Sequence, residues 1–377
     1  MNELQLELKN SLEKFRLDKI EPLMEEDDAN ENFRMDIFNQ LGELGVAGVT
    51  LPEKFGGAGL SVQDQAVCLE EIAKSSVSYA VTLSVSTMVQ SILNEFGNES
   101  QKEKYLPELT SGKAIGAFAL SESHSGSDAA ALKTTAKKTK DGYILSGSKM
   151  WISSGGIAKT YIVMARTGEE GPKGITAFIV EDGMKGFSYG KKEKKMGWKV
   201  SPTRELIFEN CLVPKENILK EEGFGFKIAM AALDKGRITI GSIGVGLAQR
   251  ALDEAVRYSL ERRQFNKEIF NFQGLQFMMA DMATEVECSR LIVREAARLY
   301  DEKTNNAKIS SMAKLKATET AMKVTTDAVQ ILGGVGYTTE YPVERFMRDA
   351  KVLQIVEGTN QIQKVVIGRC LKREYQK

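Results

Sequence analysis

The apolar residues of this chain change their spacing twice along its length. From Leu4 to about Leu109 they recur every three or four residues, as in amphipathic helices, and this spacing returns from Phe226 to the end. Between these zones, from about Ala114 to Val213, short β-like runs alternate with turns. Helices and strands therefore occupy separate parts of the chain, which favours an α+β fold and disfavours a Rossmann sheet.

The length of the chain supports a division into domains, because 377 residues exceed the usual size of one hydrophobic core. We predict an N-terminal α-helical domain over 1–112, a middle domain over 113–222 that forms a small β-barrel or sandwich, and a C-terminal helical domain over 223–377. Within the last domain, Ala248–Glu261 and Gln276–Leu299 have the length of helices in a four-helix bundle.

The sequence also predicts the strands of the middle domain and the loops of the C-terminal domain. The predicted strands are Ala117–Leu120, Tyr143–Ser146, Tyr161–Ala165, Ile175–Val180 and Glu205–Phe208. The predicted loops of the C-terminal domain are Gln264–Phe272, Lys303–Lys308 and Gly333–Pro342.

Charge and composition exclude several classes of protein. Basic and acidic residues both number 51, and the zero net charge argues against nucleic-acid binding driven by positive charge. One histidine, His124, and four cysteines without CxxC spacing argue against a metal site and leave acid–base work to a carboxylate. The uncharged run Ser75–Asn94 is rich in Ser and Thr, so we predict a buried helix rather than a membrane span. We expect a cytoplasmic protein.

The first candidate segment, Phe118–Asp128, is a predicted strand that leads into a loop rich in Ser and Gly. Its hydroxyl and backbone N–H groups could bind a phosphate or a ring edge rich in acceptors. An ordinary turn is the commoner role of such a loop, and His124 within it is more often a hydrogen-bonding loop residue than a catalyst.

Two further segments could contact a flat ligand. Trp151 and Ser153 share one face if their segment is extended, so an indole and a hydroxyl could flank a heteroaromatic ring, although a core tryptophan is the commoner case. The stretch Gln330–Tyr337 follows a helix and lacks GxGxxG spacing, which excludes a Rossmann fingerprint. Its glycines indicate either close backbone approach to a ligand or a helix C-cap.

The fourth segment contains the candidate base. Glu357 follows the apolar run Val352–Val356 and precedes Gly358, where a helix must break. Desolvation in apolar surroundings would raise the pKa of its carboxyl group towards neutrality, as a general base requires. Gly358 leaves room for a substrate, and Thr359 can cap the next helix. Without further context, a surface glutamate at a helix end is the commoner case.

Taken together, these four segments and their order resemble the acyl-CoA dehydrogenase family over essentially the whole chain. The stretches ALSESHSGSDAAA and QILGGVGYTTEYPVERFMRD are similar to its two signatures, and KKMGW, LDKGR and EGTNQIQ are similar to its other landmarks. The resemblance implies the helix–barrel–helix fold of that family, FAD as cofactor, and oxidation of an acyl-CoA thioester to the trans-2-enoyl-CoA.

The resemblance also implies which residues bind FAD. Trp151 would pack against the flavin, and Ser153, where the family often has Thr, would donate a hydrogen bond to its N5 edge. The loop that follows Phe118 would line the flavin and the thioester, with Ser127 near the CoA, and other contacts would reach across a subunit interface. The implied cofactor-binding residues are Phe118, Leu120, Ser121, Gly126, Ser127, Trp151, Ser153, Arg262, Gln264, Phe265, Phe272, Gln273, Gln330, Gly333, Gly334, Thr359 and Gln361.

By the same resemblance, Glu357 removes the α-proton while flavin N5 accepts the β-hydride. The backbone N–H of Glu357 and a ribityl hydroxyl of FAD would bind the thioester carbonyl. Some relatives carry the base at the position of Gly236, which cannot serve here. The implied substrate-binding residues are Ser127, Asp234, Arg237 and Gly358. The implied partners are electron-transfer flavoprotein and further copies of the chain in a homotetramer, a dimer of dimers.

The acyl pocket and two alternative functions remain open. The stretch Ala80–Met88 matches the helix at the far end of the acyl chain, and its small uncharged residues predict a short- to medium-chain, possibly branched, substrate. Val356 replaces a common Tyr beside the base, which opens volume at the thioester. The alternatives are an acyl-CoA oxidase that uses O₂ and a non-catalytic acyl-CoA-binding paralogue.

Overall fold

The computed structural model describes residues 1–304 and 307–376. In its N-terminal part six α-helices follow one another: α1 Glu3–Phe15, α2 Met24–Asn30, α3 Met35–Glu43, α4 Val62–Ala73, α5 Val77–Phe96 and α6 Glu99–Thr110. Helix α6 begins with a capping box in which Asn98 and Gln101 exchange side chain–backbone bonds. Helix α5, which contains most of the uncharged run, packs against α4, α6 and the sheet and is buried along nearly its whole length.

The middle part forms one seven-stranded sheet. Its strands are β1 Gly116–Ala119, β2 Thr135–Lys138, β3 Gly142–Ser153, β4 Thr160–Arg166, β5 Ile175–Glu181, β6 Phe187–Lys192 and β7 Thr203–Pro214. The order is β1-β4-β2-β3-β7-β6, and β5 pairs with β4. Strand β1 runs parallel to β4, whereas β3 is antiparallel to both β2 and β7.

The five predicted strands are present, but the sequence prediction missed β2 and β6. Each contains two lysines, and neither contains a continuous apolar run like those of most of the predicted strands. Strand β6 lies at the edge of the sheet, where exposed lysines discourage pairing with another chain. Strand β3 also extends to Ser153, well beyond the predicted end at Ser146.

The C-terminal part contains α7 Gly225–Glu261, α8 Gln273–Asp301, α9 Ala307–Leu332, α10 Val343–Leu353 and α11 Asn360–Tyr375, with a short hairpin of β8 Arg263–Gln264 and β9 Lys267–Glu268 after α7. The predicted helix Ala248–Glu261 therefore covers only the C-terminal part of α7, which begins at Gly225. Glycines before Ala248 lower helix propensity, but they allow close packing, because a Cβ at Gly246 would lie 2.1 Å from the Glu70 carbonyl oxygen.

The predicted three-domain structure is confirmed as a helical, a β and a second helical part, in that order. Element type changes between Thr110 and Gly116 and again between Pro214 and Gly225. The boundaries at 112 and 222 themselves stay predictions, and the predicted loop Lys303–Lys308 lies partly outside the described residues. Within the described ranges, no helix is both long enough and apolar enough to cross a membrane.

Candidate active site

The candidate base lies in the turn between α10 and α11. Glu357 and Gly358 both adopt left-handed backbone conformations, with φ of 55° and 81°. This conformation is unfavourable for a glutamate, so its surroundings must hold it. The buried Gln363 side chain does so in part, because its Nε2 donates to the carbonyl oxygens of Glu357 at 3.1 Å and Gly358 at 2.8 Å. Thr359 caps α11, as expected, by accepting a bond from Ile362 N at 3.2 Å.

The Glu357 side chain is half-buried, and its carboxyl oxygen Oε2 packs against α7. A Cβ added to Gly236 would lie 2.4 Å from Glu357 Oε2 and 2.8 Å from the Met88 methyl carbon, so a residue without a side chain makes room for the carboxyl group. Oε2 is inaccessible to solvent and has no hydrogen-bond partner in the described residues. Burial raises the pKa of Glu357 to about 7, and the positive charges of Lys314 and Arg237 oppose this shift.

The Lys314 side chain lies beside this turn, although Lys314 was not among the predicted site residues. Its ammonium group is fully buried and donates to Gly358 O at 3.0 Å and Asn360 Oδ1 at 2.9 Å. One sequence feature could have indicated it: Lys314 interrupts a stripe of small residues on one face of α9. Ser310, Ala317 and Thr318 share this buried face with Lys314. Burial lowers the pKa of Lys314 to about 7, although the Glu357 charge acts in the opposite direction.

Asp234 and Arg237, two predicted substrate-binding residues, form an ion pair one turn apart on α7. Arg237 Nη1 lies 2.5 Å from Asp234 Oδ1. Arg237 is 7% exposed, and its Nε has no partner in the described residues. Burial raises the pKa of Asp234, while Arg237 lowers it. Arg237 directly follows Gly236, against which the Glu357 carboxyl group packs, and its positive charge lowers the pKa of Glu357.

The structure brings the first two predicted segments together on adjacent backbone. Met150 N donates to Ser121 O at 2.9 Å, and Lys149 Nζ donates to Leu120 O at 3.0 Å. Lys149 also pairs with Glu122 at 2.7 Å, and both side chains are buried. This buried ion pair holds the loop that starts at Ser121 against β3, so the loop and the Trp151 segment form one surface.

Trp151 is not a core tryptophan. Its side chain is 54% exposed, and its φ of 58° coincides with an irregularity in the β3–β7 pairing between Lys149 and Ile152. The premise of a regular extended segment is therefore wrong at this residue. Ser153, two residues further on, is half-buried. An exposed indole beside a hydroxyl-rich loop fits the face of a flat heteroaromatic ring.

The remaining predicted cofactor residues are mostly exposed. The hairpin after α7 carries Phe265, which is 86% exposed with φ of 51°, and its ring packs edge-to-face on Phe272 at 5.9 Å. The glycine stretch does end a helix, because α9 stops at Leu332 and Gly333 has φ of 67°. The exposed members of the predicted set are Gly126, Ser127, Arg262, Gln264, Gln273, Gln330, Gly334 and Gln361, whereas Phe118, Ser121 and Thr359 are half-buried and Leu120 is buried.

The arrangement fits FAD and a thioester. An exposed indole and several hydroxyl groups suit a flavin ring, and the exposed arginine Arg262 suits a pyrophosphate. The unpartnered Oε2 of Glu357 is an orphaned buried acceptor of the kind that a base presents to its substrate. Such a site can remove a proton from a carbon acid.

Comparisons with known proteins agree with this arrangement. The acyl-CoA dehydrogenase N-terminal, middle and C-terminal domain families match residues 2–113, 117–211 and 223–372. The mitochondrial isobutyryl-CoA dehydrogenase of Dictyostelium discoideum is 44% identical over 362 residues, which are 96% of this chain and 87% of that protein.

Two solved structures are closely similar. The butyryl-CoA dehydrogenase of Megasphaera elsdenii has a TM-score of 0.96 at 44% identity and covers 98% of both chains. A chain in a structure described as the electron transferring flavoprotein of Acidaminococcus fermentans has a TM-score of 0.97 at 47% identity, also over 98% of both chains.

The fold and the site therefore define a flavin-dependent oxidoreductase. The chain belongs to the acyl-CoA dehydrogenase family, whose members use FAD.

Proposed function

We propose that this protein dehydrogenates a short-chain acyl-CoA to the trans-2-enoyl-CoA, with Glu357 as the base. The single observation that carries the proposal is the Glu357 carboxyl group: its Oε2 is buried and has no hydrogen-bond partner in the described residues, and desolvation raises its pKa to about 7. A base with such a pKa is ionised near neutral pH and still binds a proton well.

The residues of the chain account for the proton half of the reaction. The Glu357 carboxylate accepts the α-proton and becomes neutral, which its buried site favours. The Glu357 backbone N–H polarises the thioester carbonyl, because the acidity of the α-carbon depends on stabilising the developing oxyanion. Bound FAD supplies the acceptor for the β-hydride. The substrate thus loses one proton to the protein and one hydride to the cofactor.

The cofactor contacts are part of the same proposal. Trp151 and Ser153 would hold the flavin, and the loop from Ser121 to Ser127 would lie along it. The exposed hairpin residues, with Gln330, Gly333 and Gly334, would reach FAD in a neighbouring subunit of a homotetramer. Their exposure in a single chain supports this role, because large apolar side chains such as Phe265 are usually covered in an assembly.

The environment of the base supports a short acyl chain. Met88 on α5 approaches Gly236 beside Glu357, where it would limit the depth of the pocket. Two of the small residues expected along the acyl chain form hydrogen bonds with other elements. Ser84 Oγ donates to Thr239 Oγ1 at 2.7 Å, and Ser86 Oγ accepts a bond from Gly116 N at 3.2 Å. The butyryl- and isobutyryl-CoA names of two relatives support four-carbon substrates, straight or branched.

The electron acceptor that we propose is electron-transfer flavoprotein, in keeping with the similar chain from the Acidaminococcus fermentans structure. We also propose that the protein is cytoplasmic.

In air, an oxidase would release hydrogen peroxide in stoichiometric amounts with enoyl-CoA. A dehydrogenase requires ferricenium or electron-transfer flavoprotein and yields little peroxide.

The test is anaerobic flavin reduction by purified holoprotein with acyl-CoAs of four to sixteen carbons. We expect the fastest bleaching with the four-carbon substrates. The Glu357→Gln variant should reduce flavin roughly 10²- to 10⁴-fold more slowly, because it cannot accept the proton. Glu340→Gln, in the exposed loop before α10, is the matched control and should leave the rate unchanged. Near-normal reduction by Glu357→Gln contradicts the proposal.

A further inference from the structure

The turn that presents Glu357 is held from behind by α9. Lys314 Nζ binds Gly358 O and Asn360 Oδ1, which lie on either side of Thr359. Thr318, one turn further along α9, donates from Oγ1 to the same Asn360 oxygen at 3.0 Å. With Gln363 these side chains satisfy the carbonyl groups of the left-handed turn, so its conformation depends on groups outside it.

The charge on Lys314 is unusual for a buried lysine. Its bonds to the turn go to a neutral carbonyl and a neutral amide, and it forms no ion pair within the described ranges. A buried ammonium group normally pairs with a carboxylate, because an isolated buried charge is costly. The nearby acid is Glu357, whose charge raises the pKa of Lys314 although the two groups form no direct salt bridge.

The other charged groups around this pair are few. Arg237 on α7 faces both groups and is itself paired with Asp234. Glu319 on α9 acts on Lys314 and is exposed, where it pairs with Lys364 of α11 at 3.5 Å. The neighbouring stretch of α5 contributes Met88, which carries no charge. Among the described residues, Lys314 and Arg237 are the two cations whose charges lower the pKa of Glu357.

We propose that Lys314 is a positioning residue for the base. Its ammonium group fixes the Glu357–Gly358 turn and supplies a positive charge that favours the ionised carboxylate without forming a bond to it. Glu357 thereby keeps an oxygen free for the substrate while its ionisation is still supported electrostatically. This inference rests on the proposed function, because it assigns Lys314 a role through Glu357.

Two substitutions separate geometry from charge. Lys314→Met removes both the bonds and the charge, whereas Lys314→Gln removes the charge but retains an amide that can donate to Gly358 O. The readout is the second-order rate constant of anaerobic flavin reduction by butyryl-CoA, measured from pH 5 to 9. Both variants should move the acid limb of this profile to higher pH by about one unit, because an opposite charge nearby lowers a carboxyl pKa by at least that amount.

The rate on the plateau reports the geometry. Lys314→Met should lower it at least about tenfold, since small displacements of a catalytic group are costly, and Lys314→Gln should lower it less. Thr318→Val keeps the charge and loses one bond to Asn360, so its acid limb should stay in place. Lys323→Met is the matched control, because Lys323 is exposed on the same helix and pairs with Asp327 at 3.2 Å.

An acid limb that stays at the wild-type pH in both Lys314 variants overturns the proposal. If Lys314→Met does not fold, Lys314→Gln decides the question alone. A second readout needs no turnover: the difference in the free energy of unfolding that Glu357→Gln makes should level off at a pH about one unit higher in the Lys314→Gln background than in the wild-type background. Failure of wild type to reduce its flavin with any acyl-CoA, combined with this rise, refutes the proposed function and leaves the Lys314–Glu357 coupling in place.

Discussion

Glu122 in the β part and Glu357 between the last two helices both have buried carboxyl groups, but their surroundings differ. Glu122 accepts bonds from Lys149 Nζ at 2.7 Å, Lys133 N at 2.7 Å and Thr134 N at 2.9 Å, and these groups lower its pKa in spite of burial. Glu357 Oε2 has no donor in the described residues, and burial raises its pKa to about 7.

The difference shows that burial alone does not make a base. A carboxylate with three donors, one of them charged, is held ionised and has little affinity for a proton. A carboxylate with a free oxygen and only nearby charge can exchange a proton near neutral pH. Glu122 therefore holds the loop against β3, while Glu357 is available for chemistry.

The largest effect should follow from breaking the Glu122 ion pair. Lys149→Met leaves a buried carboxylate without its cation, and we expect a loss of about 3–5 kcal/mol in the free energy of unfolding, measured with urea at pH 7. The control is Lys159→Met, which breaks an exposed pair with Asp182 and should cost less than about 1 kcal/mol. Equal losses in the two variants contradict a structural role for the buried pair.

The two carboxylates should also give stability opposite dependences on pH. The raised pKa of Glu357 makes the folded protein lose stability as pH rises from about 4.5 to about 7. Glu357→Gln should remove this loss and be more stable than wild type at pH 8, on the order of 2–3 kcal/mol, with no difference below about pH 4.5. The lowered pKa of Glu122 acts in reverse, because its contribution is present above about pH 4.5 and is lost below it. Urea titrations at pH 4 to 8 measure both pH dependences. If the difference in the free energy of unfolding between Glu357→Gln and wild type does not change with pH, the raised pKa of Glu357 is contradicted.

A substitution at Gly236 should displace the Glu357 carboxyl group without destabilising the fold. A Cβ at this position meets two flexible groups, Glu357 Oε2 and the Met88 methyl, so both can move aside. Gly236→Ala should slow flavin reduction roughly 10- to 100-fold because the carboxyl group is displaced, while stability is unchanged or slightly higher in a helix. Gly368→Ala on α11 is the control, because no atom of another described element lies within 4 Å of a Cβ added there. An unchanged rate in Gly236→Ala refutes the close approach of Glu357 to α7.

The smallest effect concerns His124, which lies 3.4 Å from Glu122 and is largely exposed. If the buried donors hold Glu122, His124→Gln should change the free energy of unfolding at pH 7 by less than about 0.5 kcal/mol. A loss in the free energy of unfolding comparable with that of Lys149→Met would show that His124 also stabilises the Glu122 carboxylate, and would contradict this prediction.

The sequence indicated the desolvation of Glu357 better than it indicated the residues that contact the two carboxylates. The position of Glu357 between an apolar run and a glycine already indicated desolvation, and the structure agrees. Lys149 was not predicted to pair with Glu122, and Lys314 was not predicted to lie near Glu357, because each lysine is distant in sequence from the carboxylate whose pKa it lowers. The sequence did not indicate the left-handed conformation of Trp151, because this conformation depends on the irregular pairing with β7, which no local pattern specifies. The lysine-rich strands β2 and β6 depend in the same way on their neighbours in the sheet.

The central claim is that Glu357 ionises near pH 7 and removes the α-proton. It is tested most directly by the second-order rate constant of anaerobic flavin reduction by butyryl-CoA, which reports ionisation in the free enzyme. We predict that this constant falls about tenfold per pH unit below pH 7, and that the Glu357→Gln variant lacks this acid limb. A profile that is flat from pH 5 to 8, or one that Glu357→Gln retains, would contradict the claim.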